Sequence, residues 1–253
     1  MAIYIRKKYF PDSTFTPGEN AHGLLCTKDI YLIKDCIFDT EHLDIDDFDE
    51  TFSVTWGASA VVDHCMIRGG GKLCLIGSGD ENPPYQEKGK KVVFNHCFFA
   101  CAGRRCPEVQ SGMIVELNNC VISGWGDPDR WSVRAFGAWA HHGGEIHAKD
   151  CVFIPYGGSI PPILRIKDKL HWIGQTINYD GIRALFSAST YKSGWKRALW
   201  ASNGGKVTAE HCFFSAGSWT NADENYDPMS GPEAMQRMWQ LHVYFEDLKE
   251  SLK

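Results

Sequence analysis

"NHCFFACAGRRCP", residues 95–107, places a histidine, three cysteines and two adjacent arginines within thirteen positions. Taken alone it has the look of a metal knuckle or a redox centre. Its first five residues, however, recur along the chain. Two polar residues, a cysteine and two apolar residues appear as "KDCIF" at Cys36, "DHCMI" at Cys65, "NHCFF" at Cys97, "NNCVI" at Cys120, "KDCVF" at Cys151 and "EHCFF" at Cys212. The spacings are 29, 32, 23, 31 and 61 residues, the last about two periods. Short β-branched runs such as "KKVVF" and "KVTA" precede the motif, and glycine-rich turns lie between copies. A loose period of this length, built from strands and turns, predicts a solenoid in the form of a parallel β-helix.

That fold reassigns the cysteines. Neighbouring coils lie about 4.8 Å apart, and side chains in register point parallel rather than at one another, which suits free buried thiols better than disulfides. Zinc is disfavoured because no CxxC occurs and the cysteines recur at the coil period instead of clustering in pairs. Cys101 and Cys106, outside the repeat, are expected to pack in their turn.

The 253 residues are read as one domain with a net charge of −5, so there is no general basic field for nucleic acid or an anionic membrane. No stretch approaches a transmembrane span, and "MAIYIRKKYF" has no apolar run of secretory length. Read literally, the chain is soluble and unexported. Residues 228–253 differ from the rest. Ser230 and Glu233 have capping-box spacing, and Met235, Trp239, His242 and Phe245 form an apolar stripe at helical period. A helix covering the open end of the solenoid is expected there.

From Glu50 to Phe153 the chain resembles the pectate lyase family of polysaccharide lyases. The resemblance is carried, in order, by "ETFSVTWGAS" (50–59), "KLCLIGSGDEN" (72–82), "VVFNHCFFACAGRRCPEVQSGMIVELNN" (92–119) and "WSVRAFGAWAHHGGEIHAKDCVF" (131–153). The Arg-x-Pro turn after an "NHxFF" strand is its most specific part. The resemblance implies a right-handed parallel β-helix, secretion, and cleavage of an acidic polysaccharide, polygalacturonate above all, by β-elimination. It makes Arg105 the base and Lys72 and Arg134 the contacts of the substrate carboxylate. Arg104 and Gln110, the latter standing where the family has a further arginine, complete the expected substrate contacts.

A lyase of this kind removes the proton beside a uronate carboxylate and expels the glycosidic oxygen. It needs a base and a cation on that carboxylate. An arginine serves as base only where neighbouring cations and desolvation disfavour its charged form; Arg104, Lys72 and a bound metal are such neighbours. The resemblance implies Ca2+, an oxygen-seeking ion, with Glu50 on one ligand position. The family's other acidic positions fall on Val54, Asn20 and His22. The run "DIDDFDE" (44–50) offers Asp47 and Asp49 to rebuild the site beside Glu50.

Two rival functions follow from the same residues. A tailspike-like or adhesin-like β-helix that binds glycan without cleaving it explains the missing carboxylates. A hydrolase with paired carboxylates lacks a convincing Asp pair. Trp125 and Trp131 are candidate sugar platforms, and "AHHGG" (140–144) reads as a turn rather than a metal pair, since adjacent strand residues face opposite ways.

Overall fold

The computed structural model describes residues 4–10, 24–26, 28–40, 50–69, 71–78, 87–101, 103–126, 136–155, 176–179, 182–185, 196–215, 218–222 and 228–252. Its strands stack coil upon coil in parallel, as in an all-β parallel solenoid. Each coil contributes up to three strands. The first sheet runs through Leu24–Cys26, Glu50–Val54, Lys72–Ile76, Glu108–Val109, Phe136–Ala140, Lys196–Ala201 and Ser218–Thr220. The second takes Ala60–Asp63, Lys91–Asn95, Ile114–Asn118, Glu145–Lys149 and Lys206–Glu210. The third takes Met66–Gly69, Phe98–Cys101, Val121–Ser123, Val152–Ile154 and Phe213–Phe214. The long strand Ile30–Thr40 belongs to both, pairing with Ala60–Asp63 by its first half and with Met66–Gly69 by its second. Strand Tyr4–Phe10 stacks in parallel on that strand.

The recurring motif forms the corner between the second and third sheets. The residue before each cysteine is left-handed: Asp35, His64, His96, Asn119, Asp150 and His211 have φ of 54°, 50°, 51°, 54°, 55° and 48°. Such a backbone is costly for residues with a Cβ, and Asn, Asp and His are enriched among those that adopt it. The turn swings the following cysteine into the interior. Nine cysteines are described there, all buried and none in a disulfide. Each ladder thiol from Cys65 onward donates to a carbonyl of the preceding coil, for example Cys97 Sγ to Val62 O at 3.5 Å and Cys151 Sγ to Leu117 O at 3.2 Å. The thiol is therefore both a small core hydrophobe and a weak donor. Burial pushes the Cys26 thiol up to about 12 and raises Cys74, Cys97 and Cys120. Phe38, Phe52, Phe94 and Phe99 meet edge to face across the interior, at centroid distances of 5.1–6.0 Å.

A second corner, between first and second sheets, uses consecutive positive-φ residues ending in glycine: Trp56-Gly57, Ser111-Gly112, His142-Gly143 and Asn203-Gly204. The expected turn at "AHHGG" is therefore present. The 61-residue interval between Cys151 and Cys212 does not conceal a skipped coil. Glu145–Lys149 pairs directly with Lys206–Glu210, so the two strands belong to adjacent coils; between them the described residues include the antiparallel pair Thr176–Tyr179 and Ile182–Leu185.

The C-terminal helix α1 spans Gly231–Ser251, with Ser230 as N-cap accepting from Glu233 N at 3.4 Å. It does not cover an end of the solenoid. It lies along the side, its Ala234, Met238, Leu241, Phe245 and Leu248 packed on Ile37, Met66, Phe98, Val121, Val152 and Phe213, one residue from each coil of the third sheet. The physical reason is that the outward row Ile37, Met66, Phe98, Val121, Val152 and Phe213 is apolar on every coil and needs cover. The buried stripe shares Phe245 with the expected one and otherwise sits one residue before it; Met235 packs at its edge and Trp239 is exposed. Along the corner, Glu233 faces His211 at 3.4 Å, Arg237 donates to Asn119 and to Asp150 O, and Tyr244 donates to Asp35 at 2.6 Å. No helix among the described residues is long and apolar enough to cross a membrane.

Candidate functional site

Among the described residues, the first sheet brings the buried carboxylates Glu50 and Glu108 beside the half-buried Lys72, Arg104 and Arg105. Glu50 and Lys72 are register partners, and Lys72 bridges Arg104 on the next coil, so three charged residues occupy one height of three successive coils. Gly103 makes the approach possible: a Cβ there would lie 2.1 Å from Gly71 O. Arg104 N donates to Gly71 O at 2.9 Å, and the chain then turns at Arg105, whose φ is 68°. A non-glycine residue in this region costs of the order of 1–3 kcal/mol. The turn aims the Arg105 side chain past the intervening coil, where Nη1 donates to Glu50 Oε1. Arg105 Nε also lies 2.8 Å from Glu108 Oε2.

Glu108 continues the chain of contacts. Its Oε1 is 3.0 Å from His141 Nε2, and both side chains are buried. Burial alone would raise the Glu108 carboxyl. The His141 hydrogen bond and the charges of Arg105, His141 and Arg104 outweigh it, and the group lies below its ordinary value. His141 stacks on Trp139 at 4.0 Å, and Phe136 stacks on Trp139 at 4.5 Å. The indole is thus packed between its own strand neighbours, and its Nε1 donates to Ser202 Oγ at 2.8 Å. Trp139 is in register with Trp200, and the Arg197 guanidinium lies over both the Phe136 and Trp200 rings, at 5.0 and 4.7 Å. The strip therefore passes from cations and carboxylates at Glu50, Lys72 and Arg105 to stacked aromatics at Trp139 and Trp200. Aromatic faces there are covered by other rings or by Arg197, which argues for edge contacts over a flat sugar platform.

The expected site residues divide accordingly. Lys72, Arg104, Arg105 and Glu50 come together. Gln110 is buried and packs its Cγ toward Gly77, where an added Cβ would approach it to 3.2 Å. Arg134, Asp47, Asp49 and Trp131 lie outside the described residues. Trp125 is wholly buried in the core and offers no ring to a ligand. Cys106 is buried, as expected. Two members of the cluster were not read as functional from sequence. Glu108 stands three residues after Arg105, a spacing that could have flagged it; its link to His141 crosses coils and leaves no local signal.

Calcium wants six to eight oxygen ligands. The described residues alone do not make up such a site, because Glu50 is the one expected ligand among them and its carboxylate holds Arg105. No protein-family model matches this chain, and no curated protein is similar enough to be matched to it.

Proposed function

We propose that the chain is a right-handed parallel β-helix that acts outside the cell on an acidic polysaccharide, polygalacturonate or a related uronate polymer, cleaving it by β-elimination on the outer face of the first sheet. The observation that supports this most is the meeting of Lys72, Arg104 and Arg105 on adjacent coils beside buried carboxylates. In this reading Lys72, with Arg134 and Arg104, holds the uronate carboxylate and stabilises the charge that grows on it as the C5 proton leaves. Gln110, expected among the substrate contacts, is buried beside Gly77 at the other end of the strand from Lys72. Arg105 takes the proton as a neutral guanidine: it first leaves Glu50 and gives one guanidinium proton to water, with the cations Lys72 and Arg104 beside it. The C5–H electrons then form the C4–C5 double bond, the C4–O bond breaks, and the glycosidic oxygen takes a proton from water or from Arg105. Calcium, held by Glu50, Asp47 and Asp49, would supply further charge to the uronate; no step here depends on it.

The clamp on Arg105 favours a second reading. A guanidinium held between two carboxylates is a poor base, and a tailspike-like or adhesin-like module would use the same strip to hold an acidic glycan intact. One assay separates the two: polygalacturonate with and without Ca2+, following the ultraviolet absorbance of an unsaturated product. Unsaturated ends that disappear in Arg105→Ala support the lyase. Glycan binding without any unsaturated product, on any uronate polymer, sinks it.

A further inference from the structure

We infer that Asp63, His64 and His96, at the corner between the second and third sheets, form a binding site for a borderline divalent cation such as Zn2+. The corner belongs to neither the first-sheet strip nor the interior. Left-handed backbones at His64 and His96 place both imidazoles at the same point of adjacent coils, where they stack at 4.5 Å with their planes 22° apart. Asp63 Oδ1 lies 2.8 Å from His64 Nδ1 and 3.5 Å from His96 Nδ1, and one ligand atom from each of the three falls within 4.8 Å of the others. With metal–ligand bonds of about 2.0–2.2 Å, those two separations correspond to angles of roughly 80–120° at the ion, between octahedral and tetrahedral. To close on a cation the two stacked rings must splay, so that both in-plane nitrogen lone pairs meet at one point beside Asp63 Oδ1.

The surroundings fix the ligands and leave room for the ion. Lys34 Nζ holds the other carboxylate oxygen, Asp63 Oδ2, at 2.9 Å, so Oδ1 stays directed at the imidazoles. The Tyr244 ring of α1 lies 4.8 Å from His64 while its hydroxyl donates to Asp35; such outer contacts hold a ligating ring in place. Side-chain exposures of 19% for Asp63, 27% for His64 and 45% for His96 leave open positions for water to complete the coordination. Two imidazoles and one carboxylate select Zn2+, Co2+ or Ni2+ over Ca2+, which prefers an all-oxygen shell. Bound there, the ion would tie two coils together beneath the helix.

Titration calorimetry of the full chain with Zn2+ should show one site per chain, and Ca2+ should not compete for it. His96→Gln and Asp63→Asn should each weaken Zn2+ by about a hundredfold or more, given that even outer-shell changes cost 10–100-fold. His147→Ala, which removes a half-exposed histidine elsewhere on the second sheet, should leave the affinity unchanged. Co2+ should give a spectrum without a sulfur charge-transfer band. Nitrogen-detected NMR of the wild type should show the His64 and His96 ring nitrogens shifting with Zn2+, so the proposal stays testable if a variant fails to fold. Absence of a single-site isotherm, wild-type affinity in both ligand variants, or a thiolate band would each overturn it. None of these outcomes bears on uronate cleavage.

Discussion

Two arginines join coils of this solenoid to buried carboxylates, and they do so differently. Arg68 sits on a regular strand of the third sheet and donates to Asp39, its register partner on the adjacent coil; the side chains are 9% and 1% exposed. Arg105 sits off any strand, in a left-handed turn, and reaches over one coil to Glu50 while also contacting Glu108 and, through it, His141. The first arrangement is what a sheet provides for nothing beyond pairing neighbours. The second maintains an unfavourable backbone to bring four ionisable groups from three coils into contact, on a face where Arg105 retains some exposure. Left-handed residues recur at the corners of the solenoid, so the backbone does not set Arg105 apart; what does is its contact with carboxylates on its own coil and on the coil beyond its neighbour.

The sharpest way to break the comparison is to remove each guanidinium in turn. On the lyase reading Arg105→Met should lower turnover of polygalacturonate by about 10²–10⁴-fold, the usual contribution of a positioned acid or base, measured as initial rate of unsaturated product. Arg68→Met should leave the rate per folded molecule unchanged. Equal losses in both would mean that Arg105, too, only holds coils together.

Stability should rank the pair the other way. Arg68→Met takes the cation from a carboxylate that is almost wholly buried, and breaking such a pair costs about 3–5 kcal/mol, read from urea unfolding. The double variant Asp39→Leu/Arg68→Met should recover most of the loss, because an apolar pair of similar volume is often tolerated in place of a buried ion pair. A single-variant cost below about 1 kcal/mol, the range of exposed ion pairs, would show that Asp39 is reached by water.

How far each region was legible follows from the same contrast. The cysteine repeat announced parallel stacking because each copy performs one local task, a left-handed corner followed by an inward thiol, and local tasks leave local spacing. Lys72, Arg104 and Arg105 could be singled out because the motifs that carry the resemblance, with the Arg-x-Pro turn foremost, are local stretches of sequence. Pairing of Arg105 with Glu50, 55 residues away, and of Glu108 with His141 depends on coil height, which no short motif encodes. The helix was legible but its face was not: Met235 and Trp239 offer as apolar a stripe as Ala234 and Met238, and only the spacing of the third sheet's apolar rows decides between them. The 61-residue interval misled for a similar reason, since its length alone does not tell whether the flanking strands pair directly, as Glu145–Lys149 and Lys206–Glu210 do.

Acid should separate the two regions as well. The Glu108 carboxyl lies below its ordinary value, because His141, Arg105 and Arg104 overcome the effect of burial. A carboxyl lowered on folding stabilises the native state above its unfolded value, and that stabilisation is lost as pH falls through the ordinary carboxylate range toward the lower folded value. Glu108→Gln should therefore be less stable than the wild type near neutrality, with the difference shrinking on acidification. Urea midpoints at several pH values measure it. A difference constant with pH would mean that Glu108 contributes by shape and not by charge.

The smallest effect is expected at the helix, and it tests whether the two faces are independent. Ser230 caps α1 by accepting from Glu233 N, and replacing such a cap with alanine costs about 1 kcal/mol. The loss falls on the end of the helix that carries Glu233 and Arg237 to the corner at His211 and Asp150, on the opposite side of the coils from Lys72 and Arg105. Ser230→Ala should therefore speed hydrogen exchange in the first turns of α1 and lower the urea midpoint slightly, while amide protection in Lys72–Ile76 and Phe136–Ala140 and the rate on polygalacturonate stay as in the wild type. If fraying the helix also loosened those strands, the solenoid would be transmitting disorder through its thiol-lined interior, and the first sheet could no longer be treated apart from the face that the helix covers.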